Sequence, residues 1–333
     1  MGTVWDGILR TQILERRQRL QSAIAESPEP RHLVSLLQEV DSALERIDGG
    51  SYGLCKGCHE ALEPSQLIAD PLACFCLDCL SAEQQRSLEQ DLDLAARIQN
   101  GLLPKPLTFG GWEVCYHYEP SSMVSGDYCD VVAPEDGAGD PMFLVGDVSG
   151  KGVAAALLMS HLHAMFRTLI GVGLGIAEMV GRANRLFAAS TIATHYATLV
   201  CGRAGADGEL EICNAGHCPP FLLRGGQAIP VEATGLPIGI FSNATFSSRR
   251  VTLDPGDSLV LYSDGLTEAQ NSENAEYGLD RFVRLLGSAA RLKPGDLISE
   301  CLGDLADFRA RAPLRDDLTL MVVRRNPTNP VQS

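Results

Sequence analysis

The sequence predicts an α+β fold for its larger part, with a smaller helical and cysteine-rich region ahead of it. Between about residues 108 and 326, short apolar runs are separated by turns rich in Gly and Asp, as strands are. The connections between many of these runs are short, which favours antiparallel pairing. Helical patterns arrive in blocks and do not follow each strand, which argues against a doubly wound parallel sheet.

The first element, 1–48, reads as a helical hairpin. Leu9, Ile13, Leu20 and Ile24 share one face of a helix over 7–26, and Leu33, Leu36, Leu37, Val40, Leu44 and Ile47 share one over 31–47. Pro28 and Pro30 break the chain between the arms, and Gly49-Gly50 ends the second. Residues 49–81 hold two Cys-x-x-Cys pairs. Residues 82–103 return to helix with Leu88, Leu92, Ala95 and Leu102 along one side. That stripe serves either a homodimer through residues 82–103 or packing within its own chain. Pro104 and Pro106 close this linker helix and open the larger domain, 104–326. Its strands are predicted at 112–118, 128–132, 142–146, 197–203, 209–214, 221–224, 258–262 and 318–323. Its helices are predicted at 153–170, 176–189, 279–290 and 296–311. Residues 327–333 read as a loose tail.

The chain has 333 residues, 45% of them hydrophobic, and a formal charge of −15. Residues 1–103 carry −7 and the remainder −8, so neither part offers a basic field to a nucleic-acid backbone. The longest apolar stretches, 153–159 and 169–179, are too short to span a bilayer or are soon followed by charge. The N-terminus shows no basic segment followed by an apolar run, and Asp6 stands where a myristoylation signal has Ser or Thr. A cytoplasmic protein is expected, its eleven cysteines reduced or metal-bound.

Cys55-x-x-Cys58 and Cys76-x-x-Cys79 are separated by 17 residues. Two such knuckles at that spacing predict one tetrahedral Zn²⁺ site, and four thiolates close the shell, so the role is structural. A redox-active dithiol is the alternative. Cys74 has the wrong spacing for a knuckle. Cys115, Cys129, Cys201, Cys213 and Cys218 fall in or beside strands and read as small buried side chains. The run Leu44-Glu45-Arg46-Ile47-Asp48-Gly49-Gly50-Ser51-Tyr52-Gly53-Leu54-Cys55, with Cys58, Pro71, Cys76 and Cys79, resembles the DksA/TraR-type C4 zinc finger. In that family a helical hairpin precedes the finger and can enter a channel of RNA polymerase, so the resemblance implies RNA polymerase as a partner.

Four acidic motifs stand at strand ends: Ser125-Gly126-Asp127-Tyr128, Gly146-Asp147-Val148-Ser149-Gly150, Ser263-Asp264-Gly265 and Asp316-Asp317-Leu318-Thr319. Asp147 and Asp264 follow apolar runs, whereas Asp127 and Asp316-Asp317 precede them. Antiparallel neighbours run in opposite directions, so two exits and two entrances can meet on one rim. Carboxylates gathered with no Lys or Arg nearby repel one another, and a hard divalent cation relieves this. Oxygen donors with few histidines predict Mg²⁺ or Mn²⁺. Such a set can hold two ions about 3.5–4 Å apart, with a bridging water that attacks phosphorus in line. Gly265 and Gly150 allow close approach, and the Val148 carbonyl can add an oxygen. No catalytic group beyond that water is expected. Asp130, Asp254 and Asp257 read as turn or cap residues. His161 and His163 face different sides of a helix, His217 suits a structural hydrogen bond, and Ser190 and Ser263 lack a nucleophile elbow. Gly150-Lys151-Gly152 is not a P-loop.

The ordered motifs Ala95-Ala96-Arg97-Ile98-Gln99-Asn100-Gly101-Leu102-Leu103-Pro104, the first two acidic motifs with Lys151 and Gly152, Asn214-Ala215-Gly216-His217, Gly235-Leu236-Pro237-Ile238-Gly239, Tyr262 to Glu268 and Asp316 to Thr319 resemble the protein phosphatase 2C (PPM) family, in its SpoIIE/RsbU-like branch. The resemblance implies an α–β–β–α sandwich. It places Asp127, Asp147, Asp264 and Asp316 at metal positions with the Val148 backbone, and Asp317 and Gly265 beside them. It further implies a phosphoserine/phosphothreonine protein phosphatase acting on a phosphorylated anti-sigma-factor antagonist of the STAS type. The rival expectation is a transcription regulator without enzymatic activity that binds RNA polymerase through the zinc module.

Overall fold

A strand sends successive side chains to opposite faces, and in the larger part of this chain both faces are buried. Along Ser258–Tyr262, Leu259 and Leu261 join one core while Val260 and Tyr262 join another. Along Met142–Val148, Phe143 and Val145 face one way, and Met142, Leu144 and Val148 the other. Nearly continuous apolar runs result.

The computed structural model describes residues 5–26, 30–63, 66–67, 70–134, 139–191 and 195–327. Within these residues one sheet has the order β1-β2-β11-β10-β7-β8 and a second the order β3-β4-β5-β6-β9, every pairing antiparallel. The strands are β1 (Leu107–Phe109), β2 (Trp112–Glu119), β3 (Asp127–Val132), β4 (Met142–Val148), β5 (Ala197–Ala204), β6 (Glu209–Ala215), β7 (Phe221–Arg224), β8 (Gln227–Pro230), β9 (Arg249–Thr252), β10 (Ser258–Tyr262) and β11 (Leu318–Arg325). The helices are α1 (Trp5–Glu26), α2 (Arg31–Asp48), α3 (Ala82–Leu102), α4 (Gly152–Ile170), α5 (Ile176–Ser190), the single turn α6 (Asp264–Thr267), α7 (Leu279–Ala289) and α8 (Pro294–Arg309).

Three apolar cores fix the layers. Trp112, Phe143, Val145, Leu259, Leu261 and Met321 fill the space between the sheets. Met159, Leu162 and Phe166 of α4, with Met179 and Phe187 of α5, cover the outer face of the β3–β9 sheet. Phe282, Leu286, Leu297 and Cys301 of α7 and α8 cover that of the other. Each fully buried Leu or Phe contributes roughly 1.5–3 kcal/mol. The order is helix, sheet, sheet, helix, as expected.

The chain divides into two compact units, Met1–Asp91 and Leu92–Ser333, inside α3. In the first, α1 and α2 run antiparallel. Arg10 pairs with Asp48 at 3.0 Å and Arg17 with Asp41 at 2.7 Å, so numbers rise on one arm as they fall on the other. Ile13, Val40 and Ala43 form their core. Pro30 directly precedes α2, while Pro28 lies outside the described residues, as does the tail from 328 onward.

Three differences have physical reasons. β1, β8 and β9 are short edge strands; β8 reads Gln-Ala-Ile-Pro and β9 Arg-Arg-Val-Thr, without alternating apolar residues to announce them. Asp130 is not a turn residue. It lies inside β3, fully buried, and accepts a two-pronged bond from Arg167 of α4 at 2.6 and 2.7 Å. An arginine 37 residues away, invisible to local patterning, makes that burial tolerable. Finally, α4 is long and apolar enough to cross a membrane, with mean hydropathy 1.4, although only its first part, 153–159, reads as a long apolar stretch in the sequence. In the fold its apolar face packs on the β3–β9 sheet.

Candidate functional site

The cysteine cluster is built locally. The turn after Cys55 folds back as Cys55 N–H donates to the Glu60 carbonyl at 2.8 Å, and Leu54 bridges Ala61. The second knuckle is carried by a single 3₁₀ turn, Leu77–Cys79. Arg46 of α2 holds the approach to it, donating to the Leu72 and Ala73 carbonyls at 2.9 Å each. The Sγ atoms of Cys55, Cys58, Cys76 and Cys79 all lie within 4.8 Å of one another. Among the described residues, these are the metal-ligating side chains gathered that tightly in a group of three or more. Backbone N–H groups of Gly57 and Cys76 donate to the Cys55 sulfur at 3.3 Å. The Cys58 backbone N–H and these donors draw its thiol down to about 6, whereas the side-chain contact with Cys76 pushes Cys79 up to about 12. Cys74 stands outside the group, as its spacing predicts. Cys129, Cys201 and Cys213 are buried as expected, while Cys115 and Cys218 are half-buried.

The acidic site is built by topology. Asp127 opens β3, and Asp147 stands directly opposite it in β4. Alternation puts both on the inner face with Cys129, Val131, Phe143 and Val145. Thr319 reaches across from β11 of the other sheet and donates to Asp127 Oδ2 at 2.5 Å. Asp264 begins α6 just past the end of β10, and Asp316 and Asp317 stand just ahead of β11, the neighbour of β10. The two strand exits and two entrances therefore meet at one rim. The carboxylates stand wider apart than the thiols, as a string: the strongest charged neighbour of Asp127 is Asp147, that of Asp147 is Asp264, and that of Asp264 is Asp316.

Their environments differ. Asp317 is saturated, accepting from the Ser121 N–H at 2.8 Å, the Ser121 hydroxyl at 2.9 Å and the Gly126 N–H at 2.8 Å. Burial, then the charge of Asp147, drives the Asp127 carboxyl well above its usual range. Burial, then Asp264, Asp316 and Asp317, pushes Asp147 up to about 7; the charge of Lys151 works against this, and among the described residues no hydrogen-bond donor does. Asp264 is raised by burial and by Asp316. A methyl group on Gly265 would lie 2.1 Å from the Asp317 carbonyl oxygen, so only glycine lets α6 come this close. One on Gly126 would lie 3.0 Å from the Val148 carbonyl oxygen and 3.4 Å from Asp147 Oδ1. The Val148 carbonyl thus lies at the same corner.

One expectation fails. The carboxylates are not free of a basic neighbour: Lys151 Nζ lies 2.9 Å from Asp316 Oδ2. The turn after Asp147 brings it back, a consequence of the glycines on either side of it.

Three further residues shape the site without having been singled out for a role. Gln99, buried near the end of α3, grips Ser125 with both ends of its amide, donating to the carbonyl at 2.7 Å and accepting from the N–H at 2.9 Å. Thr319 and Ser121 hold Asp127 and Asp317. For Thr319 the signal was present, since it alternates with apolar residues on the inner face of β11. For Gln99, a polar residue on the Leu92–Ala95–Leu102 side of a helix was the clue. His217 has the structural place expected: its Nδ1 lies 2.8 Å from Thr198 Oγ1 and its N–H donates to Asn214 Oδ1. Burial lowers its pKa to about 4. His161 neighbours Ser190 and Phe187, while His163 faces Tyr128 and Asp130.

A family model described as stage II sporulation protein E (SpoIIE) matches residues 137–326. Protein IcfG of Synechocystis sp. is 28% identical over 269 residues, which covers 71% of this chain and 42% of IcfG. The phosphoserine phosphatase RsbU of Bacillus subtilis is 27% identical over 253 residues, covering 72% of each chain. This chain thus spans less than half the length of IcfG and nearly three quarters of RsbU. Among solved structures, the SiaA-PP2C domain of Pseudomonas aeruginosa matches with a TM-score of 0.64 at 22% identity, covering 73% of this chain and 99% of that one. At that identity the likeness is one of fold, and it extends to both antiparallel sheets and their helices.

Proposed function

The chain belongs to the SpoIIE family, and from that premise we propose that residues 104–326 form a protein serine/threonine phosphatase that uses two divalent cations, Mn²⁺ or Mg²⁺. Asp127, Asp147, the Val148 carbonyl, Asp264 and Asp316 would hold them. The observation that carries this reading is the contrast within the acidic rim. Asp317 has its charge met by protein groups, whereas Asp147 accepts no side-chain hydrogen bond among the described residues and is pushed up to about 7 by its burial first and then by its acidic neighbours. A carboxylate left so costly fits a cation as its missing partner. The donors are all oxygen, as hard divalent ions prefer.

When bound, such ions neutralise phosphoryl oxygens and make a water acidic enough to be the nucleophile near pH 7. The chain's own residues set the stage for this. Thr319 fixes one oxygen of Asp127. Asp317 ties Ser121 and Gly126 to the segment just ahead of β11 that carries Asp316, so the two sheets share one rim. Thr198, bonded to His217, braces the backbone of Asp147 through a 3.4 Å contact. His217 stays neutral at physiological pH and adds no charge to the site.

The substrate of this reading is a phosphoserine or phosphothreonine on a small STAS-type anti-sigma-factor antagonist, in a cytoplasmic setting. RsbU, a relative over most of this chain, is itself a phosphoserine phosphatase. Cys55, Cys58, Cys76 and Cys79 would hold one structural Zn²⁺ in a DksA/TraR-type module. The exposed Leu88, Leu94 and Ile98 of α3 suit a homodimer through residues 82–103. The full chain is expected to hydrolyse p-nitrophenyl phosphate only with Mn²⁺ or Mg²⁺. Asp147→Asn and Asp264→Asn should each lower the rate by roughly 100-fold or more. Undiminished hydrolysis in both variants would remove the reading.

A further inference from the structure

Asp316 already has a cation beside it. The Lys151 ammonium donates to Asp316 Oδ2 at 2.9 Å and to the Arg315 carbonyl at 2.7 Å. Among the described residues, Lys151 is the basic side chain within 4.0 Å of the rim carboxylates. Arg315 is engaged elsewhere, its guanidinium donating to Gln270 and Asn274. Lys151 and Asp316 line one small cavity of about 170 Å³ together with Gly265, Glu268 and Glu276. The ammonium also favours the charged forms of Asp147, Asp264 and Glu268.

The backbone makes this lysine an odd choice for its place. Lys151 is the N-cap of α4, where Ser, Thr, Asp or Asn serve best and where the helix dipole disfavours a positive charge. It makes no capping bond. Gly150 at φ 101° and Gly152 at φ 72° flank it, each with open space where a side chain would stand. Its side chain is 63% exposed, so the ammonium can leave for water without any repacking. A local rule broken at such a position points to a role in the site.

We propose that Lys151 is a tethered counter-ion. It occupies the cation's side of Asp316 when no metal is bound, and a divalent ion must displace it, so Lys151 sets the metal affinity at this end of the rim. The inference rests on the carboxylates being metal donors.

Calorimetric titration of the full chain with MnCl₂ tests it. Lys151→Gln should bind Mn²⁺ about tenfold more tightly than the parent protein, the effect of removing one competing charge at a partly exposed site. Lys151→Arg should stay close to the parent. In the Asp316→Asn background, Lys151→Gln should bring no gain. In chelator, Lys151→Gln should melt below the parent, and saturating Mn²⁺ should close that gap. A parent protein that binds Mn²⁺ while Lys151→Gln binds it equally or more weakly overturns the counter-ion role alone. A parent protein that binds no Mn²⁺ overturns the metal reading and this inference with it.

Discussion

The thiol cluster and the acidic rim are both gatherings of metal-type donors, yet they are assembled in opposite ways. The four thiols come from 25 consecutive residues and already lie within 4.8 Å of one another. Two tight turns and an arginine clamp from α2 bring them together. The carboxylates come from β3, β4, α6 and the segment before β11, spread over some 190 residues, and they stand wider. No local turn could assemble them; only the pairing of strands and the packing of two sheets can. On the proposed reading, local assembly relies on the ion to hold the fold, whereas assembly by topology lets the fold hold the ion's place, at the cost of stored repulsion.

Removing one donor from each region should therefore act in opposite directions, and the largest effect belongs to the thiols. Elemental analysis should find one zinc per chain in the parent and none in Cys76→Ser, whose 1–91 unit should melt. Apparent zinc-binding energies of about 10–16 kcal/mol in small structural sites exceed what its short core can supply. Retained zinc and an unchanged melt would erase the contrast.

The acidic rim should respond with the other sign. In chelator, Asp147→Asn should raise stability, by roughly 1–4 kcal/mol, since it removes a charge the fold disfavours. The pH dependence follows. A carboxyl at about 7 in the fold and near 3.8 when unfolded binds its proton more tightly in the native state. Stability is therefore highest below about pH 4 from this group's standpoint and declines as pH rises toward 7. Thermal melts in chelator should show that decline, and saturating Mn²⁺ or Asp147→Asn should flatten it. A parent melt indifferent to both pH and Mn²⁺ would leave no stored repulsion to speak of.

The smallest expected effect concerns the end of α3 beside the acidic rim. Gln99→Ala removes both bonds to Ser125 and should cost about 1–2 kcal/mol locally. Faster hydrogen exchange at the Ser125 amide, without loss of the global melt, is the outcome to look for.

What could be read from residues alone follows the same division. Both cysteine knuckles were legible because their chemistry lies in spacing. The strands Phe221–Arg224 and Ser258–Tyr262 and the helix Ala82–Leu102 match their predicted limits, since each carries a full apolar pattern between clear breaks. The strand-end aspartates were legible as a set, because antiparallel pairing makes exits and entrances converge. Edge strands such as β9 were not, since one alternating face of Arg and Thr looks like loop. Asp130 was misread because its partner Arg167 lies on a distant helix. Lys151 was passed over because its meaning depends on a turn that brings it back to Asp316.

The facing of Asp127 and Asp147 across β3 and β4 has one more consequence. β3 lies at the outer margin of its sheet, paired on one side only. A shift of that strand by a single residue would turn Asp127 toward α4 and bring Asp130 round to the inner side, away from Arg167. The Arg167 clamp makes such a slip prohibitive, so the charge pair on one side of the strand acts as a proofreading pin for the carboxylate on the other.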